Sequence, residues 1–316
     1  MSLIAEAPDF LQVFSDGSVK RFAPEIALAS PESLESYKSK DIVIEPSKSI
    51  TGRIFLPNTP TINTSSHKLP VVVYFHGGGF CIGSTTWLNY HVFLGDFASS
   101  AEAIVLSIDY RLAPENRLPI AYSDGCSSLE WLIRSCYTEP WLERADLTRV
   151  FLSGDSAGGN IAHNVAMIAH ENEDHDFKSI QIKGILLIHP FFGSEERTPQ
   201  ELVNESGIEV QMNDMFWKLS IPQGSNRDYF GCNFEKVSFD EWSLFPRVLV
   251  HVAGLDFLKE RGVMYVEYLK RKGVKDVSLI EAKDEGHIYH VYHPKSESTT
   301  LLRLQMAEFI NIFSNL

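Results

Sequence analysis

The residues of this 316-residue chain best suited to covalent chemistry lie in Gly154-Asp155-Ser156-Ala157-Gly158-Gly159. Val150-Phe151-Leu152-Ser153 precedes them as a short apolar run that reads as a buried strand. Asn160 to Ala169 follows, with Ile161, Val165, Ile168 and Ala169 at helical spacing. Strand, tight turn and helix around a G-x-S-x-G pattern define a nucleophile elbow, with Ser156 at the turn. A serine there must adopt a strained backbone that lifts its Oγ clear of the sheet, and its neighbours must be glycine because a Cβ would strike the adjacent strand or helix. The competing reading is a loop of small residues after a strand.

An acyl-transfer serine needs a base, a group to orient the base, and donors for the developing oxyanion. His76-Gly77-Gly78-Gly79-Phe80, at the end of the apolar run Leu69 to Phe75, supplies the donors. The backbone N–H groups of Gly78, Gly79 and Ala157 are the candidates. A phosphate-binding loop is disfavoured, because no Lys-Ser/Thr follows and the spacing is not G-x-G-x-x-G. Asp256 follows the apolar run Val248 to Ala253 and is the candidate orienter, although an aspartate there could instead cap the helix that begins beyond it. The chain order Ser, acid, His favours the catalytic role. Three histidines compete as base in Gly286-His287-Ile288-Tyr289-His290-Val291-Tyr292-His293. His287 comes first after the run Val277 to Ile280, beside a glycine, and is preferred over His290 and His293. Their spacing of three resembles a metal-ligand pattern, but the aromatic surroundings lack convergent acids, so no metal and no cofactor are expected.

These residues require a scaffold. Leu69 to Phe75, Ala103 to Ile108, Val150 to Leu152, Gly184 to Ile188, Val248 to Ala253 and Val277 to Ile280 suit strands covered on both faces. Helical patterns over Leu118 to Ser135, Ile161 to Ala169, Leu258 to Arg271 and a C-terminal stretch from Leu301 to Phe313 alternate with them. The fold class is therefore α/β, a mostly parallel sheet with helices on both faces. Ahead of it, Phe10 to Phe14 and Val19 to Phe22 form a hairpin around Asp16-Gly17, residues 23 to 40 form an arm with little core of its own, and Ile42 to Glu45 pairs with Thr51 to Leu56 at a sheet edge. Asn58 to Lys68 reads as a loop. Residues 191 to 245 are long, aromatic and irregular, as a functional lid would be. The chain is expected to be one domain over 1–316, with cap segments 1–40 and 191–245.

A net charge of −13 argues against nucleic-acid partners, since neutralising phosphates needs clustered Lys and Arg. Cys81, Cys126, Cys136 and Cys232 lack metal-like spacing and suit a reducing compartment. With no signal peptide evident at Met1 to Phe10 and no run of membrane-spanning length, a cytoplasmic protein without membrane association is expected. The triplets Asn63-Thr64-Ser65 and Asn204-Glu205-Ser206 and the terminal Ser314-Asn315-Leu316 are read as chance matches.

His76 to Phe80, Asp109-Tyr110-Arg111-Leu112-Ala113-Pro114-Glu115, Gly154 to Gly159 and Gly286 to His290 together resemble the hormone-sensitive-lipase-like branch of α/β-hydrolases. Phe14 to Arg21 and Phe216-Trp217-Lys218-Leu219-Ser220-Ile221-Pro222 narrow the resemblance to plant carboxylesterases, the group that includes the gibberellin receptor and 2-hydroxyisoflavanone dehydratase. The resemblance covers nearly the whole chain. It implies an α/β-hydrolase fold, Ser156, Asp256 and His287 as a triad, Gly78, Gly79 and Ala157 as oxyanion hole, and a cap from the arm and the 191–245 insertion. It also implies a carboxylesterase acting on a small ester as a monomer or weak homodimer. The receptor subgroup lacks the triad histidine, whereas this chain keeps His287, so a non-catalytic sensor is disfavoured. Elimination, cyclisation or ester-cleaving decarboxylation on the same scaffold is the alternative.

Overall fold

The computed structural model describes residues 2–33, 35–58, 68–171 and 177–312. The sequon at Asn63, most of the loop 58–68, Phe313 and the terminal tripeptide lie outside the described residues. Eleven strands are described: β1 (Leu3–Ala7), β2 (Leu11–Phe14), β3 (Val19–Arg21), β4 (Tyr37–Glu45), β5 (Ile50–Pro57), β6 (Leu69–Phe75), β7 (Ile104–Asp109), β8 (Ala145–Asp155), β9 (Ile182–Ile188), β10 (Arg247–Ala253) and β11 (Val277–Ala282). The first three form a small antiparallel sheet. The other eight form the main sheet in the order β11-β10-β9-β8-β6-β7-β5-β4, in which β5 runs against the rest. Eight α-helices accompany them: α1 (Leu88–Ala101), α2 (Ile120–Ser135), α3 (Ala157–Glu171), α4 (Pro199–Val203), α5 (Ile208–Ser220), α6 (Lys259–Lys272), α7 (Tyr289–Tyr292) and α8 (Glu297–Asn311).

The apolar runs of the inner strands are continuous because each of these strands feeds two cores. β11, expected to be covered on both faces, instead lies at the sheet edge and has no fully buried residue, with Leu279 38% exposed. On β6, Val71, Val73 and Phe75 join the side shared with α2, α3 and α6, whereas Val72 and Tyr74 join the side shared with α1 and α8. The antiparallel edge pair is present and longer than expected, reaching back to Tyr37. The end of the arm is therefore sheet and not loop, and Tyr37 packs on Phe55 and His91. Further corrections are β1, which extends the hairpin to three strands, helix α1, and helix α5 inside the segment read as irregular.

Register aligns two loops. Phe75 of β6 pairs with Gly154 of β8, so the loops that leave these neighbouring strands emerge side by side at their C-terminal ends. A Cβ on Gly158 would lie 1.8 Å from the Phe75 carbonyl oxygen and 2.8 Å from that of His76. Both obstacles are backbone, so side-chain adjustment gives no relief. Gly158→Ala is expected to destabilise the protein by about 3 kcal/mol, read as a lowered urea midpoint with an unchanged m-value. A loss below about 0.5 kcal/mol would mean that helix and strand are free to separate.

Candidate active site

Ser156 follows β8 at φ 51°, in the left-handed region that a non-glycine residue seldom occupies. The chain holds it there from both sides: Ser156 N–H donates to Ile188 O at 2.8 Å, and Ser156 O accepts from Phe191 N at 2.9 Å. The strained turn lets α3 begin at once with Ala157. Ser156 Oγ lies 3.0 Å from His287 Nε2, and His287 Nδ1 lies 2.7 Å from Asp256 Oδ2. The serine, histidine and aspartate come from the loops after β8, β11 and β10, and the fold brings all three into one line.

Asp256 does not cap α6, whose N-cap is Leu258 without a side-chain cap bond. Oδ1 of Asp256 instead closes a turn ahead of the helix by accepting from Leu258 N at 2.9 Å, and its backbone O accepts from Lys259 N at 3.0 Å, where α6 begins. The other carboxylate oxygen is left for His287. His287 feels opposing effects. Burial lowers its pKa, but the Asp256 carboxylate outweighs this, with smaller contributions from Asp155 and Glu209, and the net shift is upward.

The other two histidines of the segment are elsewhere. His290 is fully buried against Phe93, at 4.7 Å between rings, with both nitrogens unpartnered among the described residues, and burial holds its pKa well below the usual value. His293 is exposed. His189, Asp256 and His287 do converge closely enough to suggest a metal site. The lone pairs argue otherwise: His189 Nδ1 accepts Ile288 N–H at 3.0 Å, and both His287 nitrogens are engaged by Asp256 and Ser156.

The glycine loop turns beside the serine. Gly78 and Gly79 have φ of 105° and 57°, and their N–H groups have no hydrogen-bond partner among the described residues. The N–H of Ala157, as the first residue of α3, has no intrahelical acceptor. The loop is fixed by side chains on both sides of it. Asp155, fully buried, accepts from Tyr74 OH at 2.7 Å, Tyr90 OH at 2.8 Å and Gly77 N at 3.1 Å. Tyr90 OH also accepts from Gly77 N, at 2.9 Å. Burial raises the Asp155 pKa while the tyrosine hydroxyls oppose the rise. The residue beside the nucleophile therefore ties the glycine loop to the elbow. His76, also buried, contacts Gly77 O at 2.8 Å, stacks on Tyr110 at 4.4 Å, and its carbonyl accepts from Tyr110 OH at 2.8 Å. Arg21 of β3 donates to Cys81 O and Ala113 O and pairs with Glu115, linking the N-terminal hairpin to the same region. The segment Asp109 to Glu115 contained the signal for Tyr110 and Glu115, but no chemistry distinguished them there.

A cavity of about 630 Å³ opens above Ser156. Ala7, Phe10, Pro24 and Glu25 from the arm line it, with Phe191, Glu209, Met212, Asn213 and Phe216 from the insertion. The arm is docked by Ala27 N to Thr86 O at 2.8 Å, by Leu88 N to Glu25 O at 2.8 Å and by the stack of Phe10 on Trp87. The insertion is held by Trp217, which stacks on Phe191 at 4.3 Å, and by Ser220 Oγ, which donates to Gly79 O at 3.0 Å.

Such a crevice at the carboxyl ends of a mostly parallel sheet, with an elbow serine, defines the α/β hydrolase fold, whose family pattern matches residues 72–291. The chain belongs to this family, among its plant carboxylesterase-like serine hydrolases. It is 36% identical over 318 residues to probable carboxylesterase 6 of Arabidopsis thaliana, covering 98% of this chain and 91% of that one. It is 34% identical to 2-hydroxyisoflavanone dehydratase of Glycyrrhiza echinata, over 96% of this chain and 95% of that one. Among solved structures, a hyperthermophilic esterase from the archaeon Pyrobaculum calidifontis superposes with a TM-score of 0.72 at 26% identity, over 88% of this chain and 86% of that one.

Proposed function

We propose that the protein is a serine esterase in which Ser156, His287 and Asp256 form the catalytic triad and the N–H groups of Gly78, Gly79 and Ala157 form the oxyanion hole. The observation that carries this reading is the unbroken pair of contacts, 3.0 Å and 2.7 Å, from Ser156 Oγ through His287 to Asp256. His287 Nε2 takes the hydroxyl proton as Oγ attacks the ester carbonyl, and Asp256 holds the ring in the tautomer that leaves Nε2 free to accept. The glycine-loop donors stabilise the tetrahedral oxyanion. The imidazolium returns its proton to the departing alkoxide, leaving an acyl-serine. Water, deprotonated by the same nitrogen, then releases the acid and restores the hydroxyl. The arm 1–40 and the insertion 191–245 act as a cap on a single hydrolase domain and supply the substrate-facing wall.

The site needs no residue from a second chain, which supports a monomer or weak homodimer. Among the described residues no helix is long and apolar enough to cross a membrane. The four cysteines are unpaired, which supports a reducing compartment, and we assign the cytoplasm. A fluorophosphonate probe is expected to label the protein at one site, mapped to Ser156 by peptide mass, and labelling elsewhere would refute the assignment. A second reading, elimination from a bulky substrate with His287 as base, is favoured by the cavity volume of about 630 Å³ with its aromatic lining. Fast turnover of a polycyclic substrate beside slow turnover of simple esters would establish it.

A further inference from the structure

We propose that His189 is a positioning residue of the esterase: its Nδ1 fixes the loop that carries His287 and so sets how far His287 Nε2 stands from Ser156 Oγ. The inference rests on the esterase reading and adds to it a residue outside the triad. Topology poses the problem that His189 solves. β8 delivers the serine and β11 the base, and β9 and β10 lie between them in the sheet. The contact of 3.0 Å between Ser156 and His287 therefore joins two loops whose strands are not neighbours. Each loop must be fixed relative to the other, because a misplacement of about 1 Å costs about a hundredfold in rate.

The turn after β9 is that fixture. Ile188 O and Phe191 N hold the backbone of Ser156 from both sides. Between them stands His189, 1% exposed, whose Nδ1 accepts from Ile288 N at 3.0 Å. One short turn thus grips the residue that attacks and the residue next to the base. Among the described residues this is the only hydrogen bond from the backbone of 286–288 to a part of the chain outside its own loop and α7. A Cβ on Gly286 would meet nothing within 4 Å, so close packing does not hold the segment there.

Backbone strain supports the assignment. His189 and Ile288 have φ of 47° and 48°, in the left-handed region where a β-branched residue is an outlier. Such a conformation persists only where its surroundings over-determine it. At His189 the backbone N–H is held by His251 O at 2.7 Å, and at Ile288 the His189 ring does the holding. The bond also dictates the state of the ring. A backbone N–H can only donate, so Nδ1 keeps its lone pair and the proton sits on Nε2. An imidazolium at His189 would set donor against donor. Burial holds its pKa well below the usual value, and positive charge on His290, His287 or His251 would push it further down. Burial lowers His290 and His251 as well. The tie therefore survives the moment when His287, 5.8 Å away between rings, carries the serine proton.

The test separates the acceptor from the fold. Asparagine and glycine both tolerate the left-handed backbone at 189, but only asparagine places an acceptor oxygen where Nδ1 stands. His189→Gly is expected to lower kcat for p-nitrophenyl butyrate about thirtyfold, counted per site titrated by a fluorophosphonate so that unfolded protein does not contribute. His189 does not line the pocket, so KM is expected to stay within about twofold of the original. His189→Asn is expected to keep kcat within about threefold. If the glycine variant does not fold, His189→Gln replaces it, since its amide oxygen falls where Nε2 stands, and the same loss is expected. Full kcat without the acceptor, equal losses with and without it, or a loss carried by KM would overturn the proposal. An unsubstituted protein that neither turns over esters nor takes the fluorophosphonate would overturn the esterase reading itself, and this role with it.

Discussion

Ser156→Ala is expected to lower kcat/KM for p-nitrophenyl butyrate by about four to six orders of magnitude. The hydroxyl is the only part of the line that can form an acyl intermediate, and the left-handed turn at φ 51° exists to present it. Removing one oxygen leaves the turn, the Ile188 and Phe191 backbone bonds and the glycine loop in place, so the loss is one of chemistry and not of folding. His287→Ala is expected to cost about as much, and the double variant no more than either alone, because base and nucleophile act as one unit. Additive losses would mean that the two residues serve separate steps. Near-full activity in Ser156→Ala would sink the covalent mechanism. The residual rate of the variants, expected at roughly a thousandfold over water, measures what the glycine loop and pocket contribute alone.

The parts of the site that sequence reveals are those whose constraints are local. The Ser156 elbow needs small residues at fixed offsets between a strand and a helix, and that requirement is written within six residues. Main-sheet strands are equally legible, since burial on both faces makes Leu69–Phe75 or Val248–Ala253 apolar throughout. The devices that hold the site are not local. Tyr74 and Tyr90 reach Asp155 across 81 and 65 residues of chain, and a buried tyrosine hydroxyl gives no sign in sequence of which carboxylate it will meet. Helix α1 is legible in the sequence, although it is absent from the elements expected above. Its buried Tyr90, Phe93, Leu94, Phe97 and Ala98 recur at the i, i+3, i+4, i+7, i+8 spacing of one apolar stripe, and the buried His91 and Gly95, the latter filled by the Tyr37 ring, add a second covered side. In α5 the pattern is ambiguous, because its Phe216 and Trp217 pack on the glycine loop and on Phe191 while Met212 lines the cavity.

Asp256→Asn is expected to cut kcat by about 10⁴-fold near pH 7 while shifting the acid limb of the pH profile downward, and the combination is diagnostic. In the unsubstituted protein burial tends to lower the His287 pKa, and the Asp256 carboxylate overcomes this and raises it. Nε2 must be unprotonated to accept the serine proton, so activity is lost as pH falls through this raised pKa. Replacing the carboxylate by an amide removes the charge that favours imidazolium, burial then prevails, and the ring stays neutral to lower pH. If protonation were all that mattered, the variant would be the better enzyme under mildly acid conditions. The large loss comes instead from the tautomer. An amide N–H directed at Nδ1 makes that nitrogen the acceptor and places the ring proton on Nε2, facing Ser156 Oγ at 3.0 Å, where no proton can then be received. The amide oxygen still accepts from Leu258 N, as Oδ1 now does at 2.9 Å, so the turn ahead of α6 and the fold are retained. A variant within tenfold of the original rate would move the orienting role to another residue. A lowered rate with an unshifted or raised acid limb would show that Asp256 positions the loop without acting on His287 electrostatically.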